Sequence, residues 1–360
     1  MQLPIAITLL TIAAVAAGTV TYRKLRQHRT GDADGPAHAR PEDANPIAKD
    51  IPYRPEAIET IWTLCLEHAF GVEQFDERIV ASHAQVLERV EAAVSDAAEQ
   101  QRYFPRRPLL LPKLLQALND TEKSRQELVR LILEDPALAS ATLQRANNAF
   151  YRMSEGPVES LDRAVLVLGT DGLRSLVSTA ILQPLFRMPK GFFDRFGDIA
   201  WEHAQRSSAG AQAYAQVTYD KDPFVAQLLG VLGSLSMLVL FRLTLDKYEK
   251  YPRLPPRPEV FVHVFKRHRA RLAAAIARTW QLSQGSIDAL EEQCRELSPS
   301  RMTQLGRAVY YGDLAGAIAV ATHHALHPVE NPAAILVYQG LNQTAADDVL
   351  HAADHADLIQ

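Results

Sequence analysis

Few side chains in this sequence are placed to do chemistry, and most of those are histidines. His323, His324 and His327 cluster, and His323 and His327 stand four apart, which puts two imidazoles on one helical face if the helix runs on to Pro328. His351 and His355 repeat that spacing, with Asp354 adjacent. Two imidazoles so placed can share a metal ion, but the glutamate that accompanies them in zinc proteases is missing from both pairs, and neither has an evident third ligand. Both read as solvated surface histidines. Lys266, Arg267, His268, Arg269 and Arg271 form a basic run at the start of a helix. In a chain of net charge −4 that run reads as a wet helix face, and nucleic acid is not expected as a partner.

Asn147 and Asn148, followed by Phe150 and Tyr151, close another helix. There they either cap the helix end and pack, or contact a ligand or partner. No glycine-rich phosphate loop, dinucleotide fingerprint or Gly-x-Ser-x-Gly elbow occurs, and no serine or cysteine has an evident base beside it. No cofactor is expected. Cys65 and Cys294 are far apart in sequence, which argues against a disulfide framework, agrees with a reducing compartment, and predicts two buried thiols.

The elements that must carry these residues all read as helices. Pro55 is a first-turn proline ahead of Ile58, Ile61, Trp62, Cys65 and Leu66, and after Gly71 a second helix carries Ile79, Val86, Leu87, Val90 and Val94, so that residues 56–100 suggest a helical hairpin. Ser124 with Glu127 forms a capping box, Asp135-Pro136 starts a helix, and Ser160 and Thr170 can cap two more. Helical spacing continues through Ile199 to Tyr214, Phe224 to Leu243, Glu259 to Trp280, and Gln284 to Glu296. It persists over residues 301–360, in Leu305, Val309, Leu314, Ile318, Ile335, Leu336 and Leu341. The alternation of a strand series is absent, so the fold class is all-α.

At the amino terminus the first charged side chain is Arg23. Leu3 to Tyr22 is long enough at helical rise to cross a hydrocarbon core of ~30 Å. Arg23, Lys24, Arg26 and Arg29 follow at once, so the positive-inside asymmetry predicts a single-pass anchor with the rest of the chain on the cytoplasmic side. Ala14-Val15-Ala16 resembles a signal-peptide cleavage site, but signal peptides carry their positive charge before the apolar stretch, not after it. Residues 23–55, rich in glycine, proline and acidic side chains, read as a flexible linker.

Leu111-Pro112-Lys113-Leu114-Leu115-Gln116-Ala117-Leu118-Asn119-Asp120, then Leu133-Glu134-Asp135-Pro136-Ala137-Leu138, then Arg145-Ala146-Asn147-Asn148-Ala149-Phe150-Tyr151 resemble the opening of an HDOD domain. Ser160 to Gly169 and Leu173-Arg174 continue the likeness in the same order, and it extends over about Tyr103 to Glu296. The resemblance implies an HD-like helical bundle over residues 101–300, related to the HD metal-dependent phosphohydrolases and used in bacterial signalling. Those enzymes need a His from one helix and a His-Asp pair from another, so that imidazoles and carboxylates converge on cations that activate water. His203, in Trp201-Glu202-His203, matches the first His. The pair would fall where this chain reads Leu228-Leu229-Gly230-Val231-Leu232-Gly233-Ser234, and neither Gly230 nor Val231 can hold a cation.

His203 alone is then a histidine packed or hydrogen-bonded near a helix junction, and the metal site is degenerate. The expectation is a non-catalytic, membrane-tethered regulatory module that binds a protein partner of a signalling pathway at the bacterial inner membrane. The alternative is a divergent phosphohydrolase acting on nucleotides or cyclic dinucleotides.

Overall fold

Three of the longer helices set the architecture, and each follows from its sequence. In the computed structural model, residues 55–76, 78–108, 129–130, 132–133, 136–147, 157–186, 191–218, 223–295, 297–326 and 331–356 are described, and among them there is no strand. The anchor, nearly all of the linker, the basic residues Arg23, Lys24, Arg26 and Arg29, and the Ser124–Glu127 capping box lie outside these residues.

The described chain runs α1 (Pro55–Phe70), α2 (Arg78–Ser82), α3 (Ala84–Ser95), α4 (Ala97–Tyr103), α5 (Pro136–Ala146) and α6 (Leu161–Leu182). A 3-10 turn at Gln183–Phe186 then leads to α7 (Phe196–Thr218), α8 (Pro223–Tyr248), α9 (Pro258–Thr279) and α10 (Gln284–Glu292). A second 3-10 turn at Pro299–Arg301 precedes α11 (Gln304–His323), α12 (Pro332–Tyr338) and α13 (Gln343–Asp354).

Local signals fix many of the ends. Pro55 opens α1, and Gly71, at a φ of 70° that side chains other than glycine disfavour, closes it. The Asp96 carboxylate accepts from the amides of Ala98 and Glu99 to start α4, and Ser283, Thr303, Asn331 and Asn342 cap α10 to α13 in the same way. The break expected near Thr170 is a kink inside α6, where Gly169 has a φ of 64°. The Gln284 helix stops at Glu292, four residues short of the expected Glu296. In consequence Cys294 is exposed, against the expectation of two buried thiols, while Cys65 is buried.

Helix α8 is apolar all round, as a helix surrounded by others must be. Its mean hydropathy of 2.2 over a membrane-length window makes it long and apolar enough to cross a bilayer, yet 89% of that window is buried inside the protein. Here it is the centre of the bundle. Helix α7 lies along both α8 and α11, α13 and α1 cover α7, and α9 flanks α8. The suggested hairpin of residues 56–100 is shared out among these helices: α1 packs on α7 and α11, and α3 on α8 and α9. Phe70 at the end of α1 enters an aromatic cluster with Phe196, Phe241 and Phe265, Phe196 stacking on Phe241 at 4.6 Å between centroids. A second, smaller core joins α5 and α6 through Leu138, Val165, Leu168 and Leu173, with Phe224 of α8 buried among them.

The closest helix contacts are backbone against backbone. A Cβ added at Gly312 of α11 would stand 2.6 Å from the Ser207 carbonyl oxygen and 2.7 Å from the Ala211 amide of α7, nearer than real side chains approach. Gly312→Ala is therefore expected to destabilise by about 1–3 kcal/mol through overpacking. Gly285→Ala, in open space on α10, should leave stability unchanged or raise it by up to ~1 kcal/mol through helix propensity. Denaturant unfolding of the two variants checks this pair; equal effects would mean that α7 and α11 are not in backbone contact.

Candidate functional site

His203 projects from α7 toward the junction with α8 and α11 and is 3% exposed. Its Nδ1 lies 2.7 Å from Ser234 Oγ on α8, and its Nε2 lies 3.2 Å from the Asp313 backbone carbonyl on α11. A carbonyl can only accept, so Nε2 carries the proton and Nδ1 accepts from the Ser234 hydroxyl. Both ring nitrogens are thus satisfied by the neutral imidazole. The Trp62 ring of α1 covers the histidine at 4.6 Å between centroids, and the Arg269 guanidinium of α9 sits 4.4 Å over Trp62 while pairing with the Asp313 carboxylate. Five helices thereby meet around one imidazole.

Gly230 stands on the side of α8 that meets α7. A Cβ at Gly230 would lie 2.9 Å from both the Ser207 carbonyl oxygen and Ser208 Cα, so no larger side chain fits between α7 and α8 at this spacing. Val231 is 3% exposed. The remaining cavity beside His203 measures about 20 Å³ and is lined by Trp62, Cys65, Leu66, Phe196, Met237 and their apolar neighbours. That is room for about one water molecule, in walls that offer it little to bond.

These residues do not fit a binuclear metal centre. One imidazole is present, its two nitrogens are engaged, and the nearest carboxylate, Asp313, lies 3.9 Å from Nε2 and is taken up by Arg269. Acid–base work is equally poorly served. Burial holds the His203 imidazole below its ordinary range; the Asp313 carboxylate pulls the other way and Arg269 reinforces the burial.

The pattern of the HDOD domain family matches residues 104–295, which is more than half of the chain. The chain belongs to the HDOD family. An HDOD domain protein from Geobacter sulfurreducens superposes with a TM-score of 0.50 at 18% identity, over 75% of this chain and 99% of its own, and shows the same helical fold. A protein from Shewanella amazonensis SB2B, provisionally named a metal-dependent phosphohydrolase, gives a TM-score of 0.47 at 17% identity over 70% and 92% of the two chains. One from Marinobacter aquaeolei VT8, provisionally named a signal transduction protein, gives 0.47 at 19% over 78% and 65%. None of the curated proteins matches the chain.

Within the HDOD span Asn147 spends its side chain on its own fold. Its amide nitrogen donates to the carbonyls of Leu143 and Val158, both at 2.9 Å, and its Oδ1 accepts from the Val158 amide at 2.7 Å. The residue ties the end of α5 to Val158. Asn148, Phe150 and Tyr151 lie outside the described residues.

The basic run departs in part from a wet face. Lys266 and Arg267 are exposed and pair with Glu59 and Glu91, whereas His268 is buried on Glu91 at 2.9 Å and Arg269 faces inward to Asp313 and Trp62. Helix α11 ends at His323, so the His323–His327 face does not form, and His327 lies outside the described residues. His324 instead turns to Glu202 of α7, with Nε2 2.7 Å from Oε2. His351 and His355 lie 4.1 Å apart between ring centroids, tilted by 40°.

Trp62, Ser207, Ser234, Arg269 and Asp313 complete the surroundings of His203, and sequence reasoning singled none of them out for this site. Only Ser234, one helical turn beyond Gly230, carried a usable signal.

A buried neutral histidine must make stability depend on pH in one direction. The unfolded imidazole titrates near ~6.5 and the folded one lower, so between those values the unfolded chain binds more protons. His203 thus contributes fully above the unfolded value, and its contribution falls as pH is lowered through the window below. Relative to His203→Gln, the wild-type unfolding free energy is expected to fall more steeply just under pH 6.5, by up to ~1.4 kcal/mol per pH unit for one proton. Parallel profiles from urea unfolding at stepped pH would mean that the imidazole is not held neutral.

Proposed function

We propose that this chain is a non-catalytic regulatory module of a bacterial signalling pathway, held at the cytoplasmic face of the inner membrane by residues 3–22 and acting by binding a protein partner. The observation that carries the reading is the approach of α8 to α7 at Gly230. Where an HD enzyme needs a ligating histidine there is backbone contact, and the cavity that remains is the size of one water molecule. Phosphoryl hydrolysis needs positioned cations or an equivalent electrostatic clamp on the transferring group. His203 has neither a free nitrogen nor room for a phosphate beside it.

The fold supports a binding role in a second way. Its basic run is largely matched by Glu59, Glu91 and Asp313, which leaves little charge for a polyanion and favours a protein over a nucleic acid as the partner. The tether is read from Leu3 to Tyr22 and the four basic residues that follow. Tethering raises the local concentration of a weakly bound partner without any new contact.

The reading is tested on the full chain. Purified protein supplied with Mn²⁺ is expected not to hydrolyse nucleotides or cyclic dinucleotides above background, while cross-linking in intact membranes captures one partner reproducibly. Turnover that disappears in His203→Ala would overturn the non-catalytic assignment, and a carboxyl-terminal reporter active in the periplasm would overturn the topology.

A further inference from the structure

Beside His203, Glu202 and Arg206 of α7 belong to a different set of groups. Glu202 is half-buried, and its Oε1 accepts from Arg206 Nε at 2.8 Å. Arg206 is 1% exposed and is itself fixed by donating to the carbonyls of Ala353 and Asp354 at 3.1 and 3.0 Å. This anchors one carboxylate oxygen and aims the other, Oε2, at the end of α11.

There the chain leaves the helix. His323 is the last residue of α11, His324 caps it, and Ala325 follows with a φ of 49°. The turn swings the two consecutive imidazoles to the same side, their rings 4.9 Å apart and nearly perpendicular. One ligand atom from each of Glu202, His323 and His324 lies within 4.8 Å of the other two. His68 of α1 packs on His324 at 4.3 Å between centroids, with its own ring nitrogens facing Arg195.

We propose that Glu202, His323 and His324 bind one divalent cation of the zinc class, with the fourth position open to water. Two imidazoles and a carboxylate on a tetrahedral ion is a set that zinc adopts where three protein ligands leave one position free. Zinc sits 2.0–2.2 Å from such atoms, which spreads any two of them to about 3.3 Å. The present gap of 2.7 Å between His324 Nε2 and Glu202 Oε2 reaches that value by a small side-chain rotation, with the cation taking the place of the shared proton.

Arg206 keeps its bond to Oε1 throughout and plays the orienting part that outer groups play around metal-bound carboxylates. His323 is exposed and gives the ion an entry path. Glu202 is held ionised: burial opposes this, but the bonds from His324 and Arg206 outweigh it and keep its carboxyl below the usual range. Cys65 is not part of the set, because burial pushes its thiol up to about 12 and its Sγ bonds to the Ala317 carbonyl. The site shares no ligand with the degenerate one around His203.

The test is metal binding by the full chain after chelator treatment, with zinc itself as the probe and cobalt as the spectroscopic reporter. Calorimetric titration is expected to give one zinc per chain, a zinc-dependent rise in melting temperature, and a cobalt complex with the intense visible bands of tetrahedral geometry. Glu202→Gln, His323→Ala and His324→Ala should each weaken binding by about tenfold or more. Glu202→Gln keeps the shape of the side chain, so it serves if a histidine variant fails to fold.

Absence of stoichiometric zinc would overturn the proposal. So would binding that survives His323→Ala with His324→Ala, or that is lost instead on removing His351 and His355 or His203. Binding, not turnover, is the readout, so the result stands apart from the question of catalysis.

Discussion

The structure depends on how closely α7 is approached by its two neighbours. Around Ser207 the α7 backbone is met by Gly230 of α8 on one side and by Gly312 and Gly316 of α11 on the other, at distances where a Cβ on any of the three would overlap it. Glycine costs a helix about 1 kcal/mol relative to alanine, and three of them here are offset by packing that brings whole helices into van der Waals contact. The spacing of α7, α8 and α11 sets the size of everything between them. It makes α8 the buried centre of the bundle and fixes where His203, Ser234 and Asp313 can meet.

That spacing also decides the chemistry of the HDOD core. At Gly230 α8 sits directly against the α7 backbone, and the His203 imidazole serves as a hydrogen-bonding group between helices. The Ser234 hydroxyl and the Asp313 carbonyl are both satisfied by the neutral ring, and the Ser207 hydroxyl of α7 lies 3.1 Å from Nε2. Trp62 and Arg269 close the outer side. One position before His203, α7 presents Glu202 to His323 and His324, so that a single helix carries both the His203 site and the proposed new one.

Much of the fold was legible because helical spacing of apolar residues survives in every long element, and because prolines and capping side chains mark the starts. The family was legible from ordered short motifs. What sequence could not supply was the partner of each glycine. A helical glycine costs the same whichever backbone it meets, so nothing in the text pointed to Ser207.

Side-chain partners distant in sequence were hidden for the same reason. Asp313 lies 110 positions from His203, and Glu202 lies 122 from His324. Glu202 stood in the quoted Trp201-Glu202-His203 motif without a role, because its role depends on where α11 ends. The pairing of His323 with His327 depended on one condition, that the helix continues to Pro328, and α11 ends at His323.

The central claim is that backbone contact has replaced the metal position in the HDOD core. A crystal structure of the protein grown with Mn²⁺, with anomalous data collected, tests it most directly. The account predicts Gly230 seated against Ser207 and Ser208, His203 Nδ1 within hydrogen-bond reach of Ser234 Oγ, and no anomalous peak at coordination distance, ~2.2 Å, from either ring nitrogen. A peak there, with α7 and α8 drawn apart to admit it, would contradict it.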